Sequence, residues 1–138
     1  MQESRKNEIV ASKREELESR RLAETVVSEI FVDLNEEAAR LRGDALSREE
    51  GGRKLKMLAK YPEFRIVLIG MPAGTRWEDH KTSARIFVQV LTGHILFHTP
   101  NGTFHLRAGQ LLALDPGITH SVDSQEESAF LLTLSDSR

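Results

Sequence analysis

The second half of this chain predicts an antiparallel β-sandwich or barrel, and three observations lead to that fold class. Short apolar or alternating segments follow one another from Gly52 to Leu134. Clusters of Gly, Pro, Asn and Asp separate them at intervals that suit tight turns between strands. No long helical pattern interrupts the series, which excludes an α/β fold. The sequence therefore predicts one all-β domain over residues 52–138, preceded by a short helical or extended arm over residues 1–51.

The arm begins with a highly charged segment. Residues 1–24 contain no Gly or Pro, and Glu16 and Arg20 have the i,i+4 order that supports an exposed helix. This segment is either a solvated helix or an arm that packs on a partner subunit.

The rest of the arm contains a β-rich cluster and a short helix. The cluster from Val26 to Leu34 predicts an extended segment, although a helix through Leu22, Val26 and Ile30 also fits the spacing. Asn35 is the predicted N-cap of the next helix, because Glu36 and Glu37 follow it and carboxylates suit the first turn. Gly43 is expected to end that helix.

Eight strands are predicted in the β domain. Leu55, Met57 and Ala59 alternate with lysines, which indicates a strand, and the run from Phe64 to Met71 is apolar enough for burial on both faces. Turn residues then separate the remaining predicted strands, which are 85–91, 94–98, 103–106, 110–114, 121–122 and 129–134.

Composition excludes several classes of function. The chain has 138 residues, enough for one ordinary domain, and a net charge of −2, which gives no general attraction to nucleic acid or anionic membranes. It has no cysteine, which excludes disulfides and thiolate metal sites. No apolar run is long enough to span a bilayer, and the polar N-terminus does not suggest a secretory signal, so we expect a cytoplasmic protein.

Two spaced motifs lie within the β domain. The first reads Gly74-x₅-His80-x-Thr82-x₃-Ile86-x₆-Gly93, and the second reads Gly109-x₅-Asp115-x-Gly117-x₂-His120-x₃-Ser124. They resemble the paired motifs of the cupin superfamily, G-x₅-H-x-H-x₃-E-x₆-G and G-x₅-P-x-G-x₂-H-x₃-N, with the spacing intact. The resemblance covers about residues 52–134. The lead-in from Gly52 to Leu68 is similar to that of a group of small bacterial cupins. The resemblance implies a double-stranded β-helix, or jelly-roll barrel.

Cupins bind one metal ion inside the barrel through two His and a Glu of the first motif and a His of the second. Carried over by position, the first and last ligands fall on His80 and His120, which are retained. The other two fall on Thr82, a poor ligand, and Ile86, which cannot ligate a metal. Because stable sites usually have three or four protein ligands, a metal at His80 and His120 is doubtful. We expect no firmly held cofactor, and at most a weakly bound divalent metal.

A third ligand has few sources in the sequence. Ile95 and Phe97 are expected to face the core, which turns His94 and His98 outward, and Phe104 and Leu106 likewise turn His105 outward. Glu78 and Asp79 are interpreted as solvated loop carboxylates next to His80.

The barrel interior is therefore predicted to bind a small molecule rather than a metal. Alternation from position 80 to position 90 predicts an apolar wall with a polar end, and Trp77, in the loop before His80, closes the mouth or packs at a subunit contact. The predicted ligand-binding residues are His80, Thr82, Ile86, Val88, His120 and Trp77. A non-catalytic, sensor-like binding protein is the preferred function. A metal-dependent dioxygenase or isomerase with an unusual ligand set and a dimeric scaffold are the alternatives.

A homodimer is the expected assembly, by resemblance to small cupins and because a short barrel exposes apolar sheet surface. The runs Ile66–Ile69 and Leu131–Leu132 are the expected contacts. No nucleic-acid or membrane partner is expected.

Overall fold

A computed structural model describes residues 29–43, 48–50 and 52–135 of the chain. Contacts divide the chain into two compact units, 1–31 and 32–138, and the description below concerns the second. The predicted charged segment 1–24 and residues 26–28 of the predicted extended segment lie outside the described residues. Residues 29–33 form neither strand nor helix, so the described part of that extended segment is not a strand, and Ile30 is not helical.

Helix α1 spans Leu34–Gly43 and begins two residues earlier than predicted. The backbone N–H of Glu36 donates to Asp33 Oδ1 at 3.2 Å, and that of Glu37 donates to the Asp33 carbonyl at 3.0 Å. Asp33 is therefore the N-cap, and the prediction of Asn35 was wrong because the Asp33 carboxylate already satisfies a free N–H of the first turn. Gly43 is the last helical residue, as predicted.

One face of α1 packs on a β-sheet. Ala38 and Leu41 are buried, and the Leu41 side chain lies 3.1 Å from where a Cβ on Gly70 would be. The ammonium of Lys56 donates to Glu37 at 2.7 Å beside this contact. The helix therefore covers one end of the sheet that contains Lys56 and Gly70.

Ten strands occupy the described residues. They are β1 Arg48–Glu50, β2 Arg53–Lys60, β3 Phe64–Met71, β4 Arg76–His80, β5 Arg85–Thr92, β6 His94–Thr99, β7 Gly102–Arg107, β8 Leu111–Leu114, β9 His120–Ser124 and β10 Ser128–Ser135. All eight predicted strands are present, with ends that differ from the predicted ones by at most two residues. Strands β1 and β4 were missed, so the assignment of Trp77 and Glu78 to a loop was wrong.

The strands form two antiparallel sheets. The six-stranded sheet has the order β1-β2-β3-β10-β5-β8, and the four-stranded sheet has the order β4-β9-β6-β7. Chain neighbours such as β3 and β4 lie in different sheets, while distant strands such as β3 and β10 pair. This is the jelly-roll arrangement, and the predicted all-β fold class is confirmed.

The core lies between the two sheets. Its fully buried side chains come from alternate positions of the strands, and they include Ile69, Val88, Ile95, Phe97 and Phe130. Ile95 and Phe97 face the core as predicted. Leu106 does too, but Phe104 is 39% exposed, because it lies on edge strand β7 two residues from the hairpin turn.

The turn between β5 and β6 requires a glycine. Gly93 has a φ of +92°, and a Cβ on it would lie 2.5 Å from the Glu127 carbonyl oxygen and 2.6 Å from the Ser128 Cα. Both the backbone conformation and the close approach of the start of β10 exclude a side chain at this position. Among the described residues, no helix is long and apolar enough to cross a membrane.

Candidate functional site

The two histidines of the motifs meet across one pair of strands. Strand β4 pairs antiparallel with β9, and His80 lies directly opposite His120 in the register. A bulge between Trp77 and His80 shifts the register just before this pair. The two imidazole ring centres are 4.1 Å apart with an angle of 67° between the ring planes. The structure therefore brings the two retained motif histidines into direct contact.

The backbone sets the tautomer of both rings. His80 Nδ1 lies 2.8 Å from the carbonyl oxygen of Glu78, and His120 Nδ1 lies 2.9 Å from that of Ile118. Because a carbonyl oxygen only accepts, each Nδ1 carries the proton and donates it. Neither Nε2 has a protein hydrogen-bond partner within the described part of the chain. A neutral imidazole in this tautomer presents Nε2 as an acceptor, so the site offers two neighbouring acceptors.

A stack of rings holds the pair in place. The indole of Trp77 stacks on His80 with 4.7 Å between ring centres, and the guanidinium of Arg53 lies 4.1 Å from the Trp77 ring centre. On the core side, Phe97 stacks on His120 with 5.2 Å between ring centres. The cation over the indole and the offset rings are favourable arrangements for π-systems. Trp77 therefore orients His80, because its ring packs against that imidazole.

His120 is held neutral by its surroundings. Its side chain is 4% exposed, and burial is the main cause that lowers its pKa below the ordinary value for histidine. The neighbouring His80 lowers this pKa further, while the hydrogen bond to the Ile118 carbonyl and the charge of Asp79 raise it. The balance favours the neutral ring, so His120 accepts rather than donates at Nε2 near neutral pH.

The other two ligand positions of the cupin motif do not fit a metal ion. The Thr82 hydroxyl accepts the backbone N–H of Ala84 at 3.1 Å, and Ile86 is 2% exposed within the hydrophobic core. The nearby carboxylate of Glu78 is paired with Arg76 at 3.2 Å. In the described ranges, no group of three or more His, Asp or Glu side chains could hold a metal ion. The donor set at His80 and His120 is therefore two imidazoles.

The other predicted ligand-binding residues lie around this pair in different roles. Ile86 and Val88 are part of the core cluster, and Thr82 lies in the turn before β5, where its carbonyl accepts the N–H of Gly117 at 2.9 Å. Pockets of about 140 and 230 Å³ lie elsewhere in the described residues, and His80 and His120 line neither of these two. The alternate residues of the predicted wall from position 84 to position 90 are buried, and three of them belong to the hydrophobic core cluster.

The remaining histidines lie on the outer face of the four-stranded sheet, as predicted. His98 Nε2 donates to Asp123 at 2.8 Å, and the same carboxylate accepts Arg76 at 2.6 Å. These two partners lower the pKa of Asp123 although its burial opposes them. His94 Nε2 lies 3.2 Å from His105 Nδ1. Sequence reasoning identified their outward direction, but not the contacts between them.

Comparison with solved structures identifies the fold. No family model matches the chain, and no curated protein sequence matches it significantly. The structure resembles a conserved protein of unknown function from Streptococcus pyogenes (TM-score 0.64, 18% identity, covering 82% of this chain and 92% of that one). It also resembles KdgF from Halomonas sp. (0.65, 16% identity, 80% and 96%) and an RmlC-like cupin from Shewanella frigidimarina NCIMB 400 (0.62, 22% identity, 67% and 83%). The chain is a small protein with the cupin fold.

Proposed function

We propose that this cupin-fold chain binds a small molecule through the Nε2 atoms of His80 and His120, without a resident metal ion. The observation that supports this most directly is the pair of Nδ1–H···O=C bonds, which leaves two acceptors side by side. Binding sites for small molecules commonly combine an apolar surround with a few polar groups in fixed positions. The Trp77 and Phe97 rings supply that surround here.

The chemistry of the ligand follows from the protonation of His120. A buried neutral His120 accepts a hydrogen bond at Nε2, so the ligand must donate one. Hydroxyl, amide N–H and ammonium groups meet this requirement, whereas an ionised carboxylate would face a lone pair. The expected ligand class is therefore a polyol, sugar, amide or amine.

A metal-dependent enzyme is supported less well. Metal-binding histidines do commonly donate the other ring N–H to a backbone carbonyl, and His80 and His120 share that feature. Yet a catalytic mononuclear centre that holds its metal firmly usually has at least three protein donors, and the motif positions that would provide the third are Thr82 and the buried Ile86. The residues present favour ligand binding over metal catalysis.

A melting-temperature screen tests the proposal. The panel contains neutral sugars, polyols, amides and amines, with simple carboxylates as the contrasting class. A ligand that binds only the native state at 100 times its Kd stabilises the fold by about 2.7 kcal/mol. The variants His80→Asn and His120→Asn are suitable, because an Asn amide can still donate to the backbone carbonyl while the Nε2 acceptor is removed. His98→Asn, on the outer face, is the matched control.

The proposal predicts that a donor-bearing compound raises the melting temperature of the wild type and of His98→Asn, and that both site variants lose the effect. Shifts that survive in both site variants would contradict it. Metal analysis provides an independent check. A metal retained by the wild type but lost from the His80→Asn/His120→Asn double variant would favour the enzyme alternative instead.

We also propose that two copies associate through the outer face of the six-stranded sheet. Leu68 and Ile69 are buried within the chain, so we place the contact elsewhere on the sheet than at these two residues. Farther along the same sheet, Leu111 is 61% exposed and Phe64 is 36% exposed, both at outward positions of the register. Mass measurement in solution tests this. The wild type should be a dimer and Leu111→Asp a monomer, and a wild-type monomer at micromolar concentration would refute the pairing.

A further inference from the structure

His94 and His105 form a second imidazole pair. It lies on the outer face of the four-stranded sheet and not at the proposed ligand site. His94 begins β6 and His105 lies on the neighbouring edge strand β7, diagonally across the ladder, since His94 pairs with Arg107 and His105 with Leu96. His94 Nε2 and His105 Nδ1 are 3.2 Å apart, and the ring planes make an angle of 33°. One nitrogen donates to the other in this arrangement, and both rings are accessible from solvent. We call these two residues the outer histidine pair.

We propose that the outer histidine pair is a binding site for a divalent transition metal of the Cu²⁺, Ni²⁺ or Zn²⁺ type. A metal bonded to both nitrogens at ~2.0–2.1 Å would subtend an angle of roughly 100–106° across the observed 3.2 Å separation. That angle lies between the square-planar or octahedral value of about 90° and the tetrahedral value of about 109°. The two nitrogens thus already have the separation of a chelating pair.

Little rearrangement is needed to bind the ion. In the hydrogen bond the two nitrogens point at each other, whereas in a chelate each would point roughly 40° to one side, toward the ion. His105 is exposed and His94 is partly exposed, and side chains with access to solvent can turn by this amount at low cost. The ring that donates the hydrogen bond changes tautomer, moving its proton through solvent to its opposite nitrogen, so that both facing nitrogens can bind the ion and no proton is lost from the pair.

The other outer histidine does not belong to this site. His98 already uses both ring nitrogens, Nε2 toward Asp123 and Nδ1 toward the Thr103 hydroxyl, each at 2.8 Å. It is also four residues from His94 along β6, which corresponds to roughly 13 Å in a strand. Water must complete the coordination, so the affinity is that of a two-ligand site. His98 is therefore a matched control on the same face.

The charges around the pair act in opposite directions. Arg107 and Glu126 both lie close enough to His94 to influence its charge. The guanidinium of Arg107 repels a bound cation, and the carboxylate of Glu126 attracts it. Imidazole donors also favour Cu²⁺, Ni²⁺ and Zn²⁺ over Mg²⁺ and Ca²⁺, which prefer oxygen ligands. These preferences distinguish binding by imidazole from binding by surface carboxylates.

Metal binding would link two strands of the smaller sheet at its edge. Strand β7 has only β6 as a neighbour in the sheet, and the outer histidine pair joins them at the end away from the hairpin turn. An ion bound to both strands in the native state, and to neither in a fixed geometry when unfolded, stabilises the fold. A rise in melting temperature with metal is therefore part of the proposal.

Calorimetric titration of untagged protein with NiCl₂ and CuCl₂ tests it. Removing one imidazole by His94→Gln or His105→Gln should weaken binding about tenfold or more, since the second donor otherwise binds intramolecularly at high effective concentration. His98→Gln and the His80→Asn/His120→Asn double variant should bind as the wild type does. MgCl₂ should give no binding heat and no thermal stabilisation.

Charge variants provide the second measurement. Arg107→Gln should tighten Ni²⁺ binding and Glu126→Gln should weaken it, both with the melting temperature of the metal-free protein measured as a folding check. The proposal is overturned if the His94→Gln/His105→Gln double variant binds Ni²⁺ within twofold of the wild type. It is also overturned if His98→Gln loses as much affinity as either single variant.

Discussion

Replacing Gly93 by alanine tests whether the turn between the two sheets controls the fold. Gly93 combines a φ of +92° with backbone neighbours at 2.5 and 2.6 Å from any Cβ, and the Ser128 hydroxyl lies close as well. Ser128 Oγ accepts the N–H of His94 at 3.0 Å and donates to the Glu126 carbonyl at 2.8 Å. A methyl group at position 93 must therefore push the start of β10 away from β6 and break this buried network.

Gly109 provides a matched control for the backbone strain alone. Its φ is +85°, and a Cβ there would have nothing within 4 Å. Alanine in the left-handed region costs roughly 1–2 kcal/mol, and this cost applies to both sites. At Gly93, overpacking adds roughly 1–3 kcal/mol, and each lost hydrogen bond adds about 1 kcal/mol. We expect Gly109→Ala to cost about 1–2 kcal/mol and Gly93→Ala at least ~2 kcal/mol more.

Urea unfolding measures both values. With an m-value of about 2 kcal/mol/M, a difference of ~2 kcal/mol separates the two midpoints by roughly 1 M. The m-values of the two variants should agree, because unfolding exposes nearly the same surface in both. If the free energies of unfolding of the two variants differ by less than about 1 kcal/mol, the start of β10 moves at little cost and the argument from close approach is wrong.

Three further predictions concern the site and the helix. Burial lowers the pKa of His120 in the folded state, so the unfolded chain takes up a proton first as the pH falls. The contribution of the neutral ring to the free energy of unfolding is therefore fully present above about pH 6.5 and declines below it. The wild type should therefore lose stability between about pH 7 and 5 more steeply than His120→Asn, by at most ~1.4 kcal/mol per pH unit, and equal slopes in urea unfolding would contradict this. Asp33→Ala should cost about 0.5–2 kcal/mol by removing the cap of α1, while Asn35→Ala should have almost no effect on the same unfolding midpoint. Thr82→His with Ile86→Glu, in a chain lacking the outer histidine pair, should raise Fe²⁺ retention measured by elemental analysis, and failure to do so would show that other features prevent metal binding.

The strands were predictable where local pattern and pairing agree. Strand β3, with its continuous apolar run, was predicted at both ends, Phe64 and Met71. Strand β4 was missed because the segment Arg76–His80 contains three charged residues and has no alternation of apolar side chains. Its strand conformation comes from pairing with β9, in which Trp77 lies opposite Val122. A strand that depends on a partner far along the chain leaves little trace in its own sequence.

Which residues form the site could be predicted from the sequence, but how they are arranged could not. Motif spacing identified His80 and His120, and the structure places them opposite each other. The spacing could not show that Trp77 would pack against His80, because that contact depends on the missed strand β4. Nor could it show the contact between the outer histidines, which depends on how β6 and β7 align in register. Alternation determined which face they occupy, and register determined which rings meet.

The local origin of the imidazole tautomers explains how the site can keep its shape without metal-ligating side chains at positions 82 and 86. Each ring bonds to the carbonyl two residues before it on its own chain segment, Glu78 for His80 and Ile118 for His120. Neither bond involves Thr82 or Ile86, so changing those two positions does not release either ring. A site whose orientation depended on the metal would lose its geometry with its donors, whereas this one retains two aligned acceptors. Under the proposed function, Thr82 and Ile86 deprive a cation of its further ligands at this pair, while the two rings stay in place to accept hydrogen bonds.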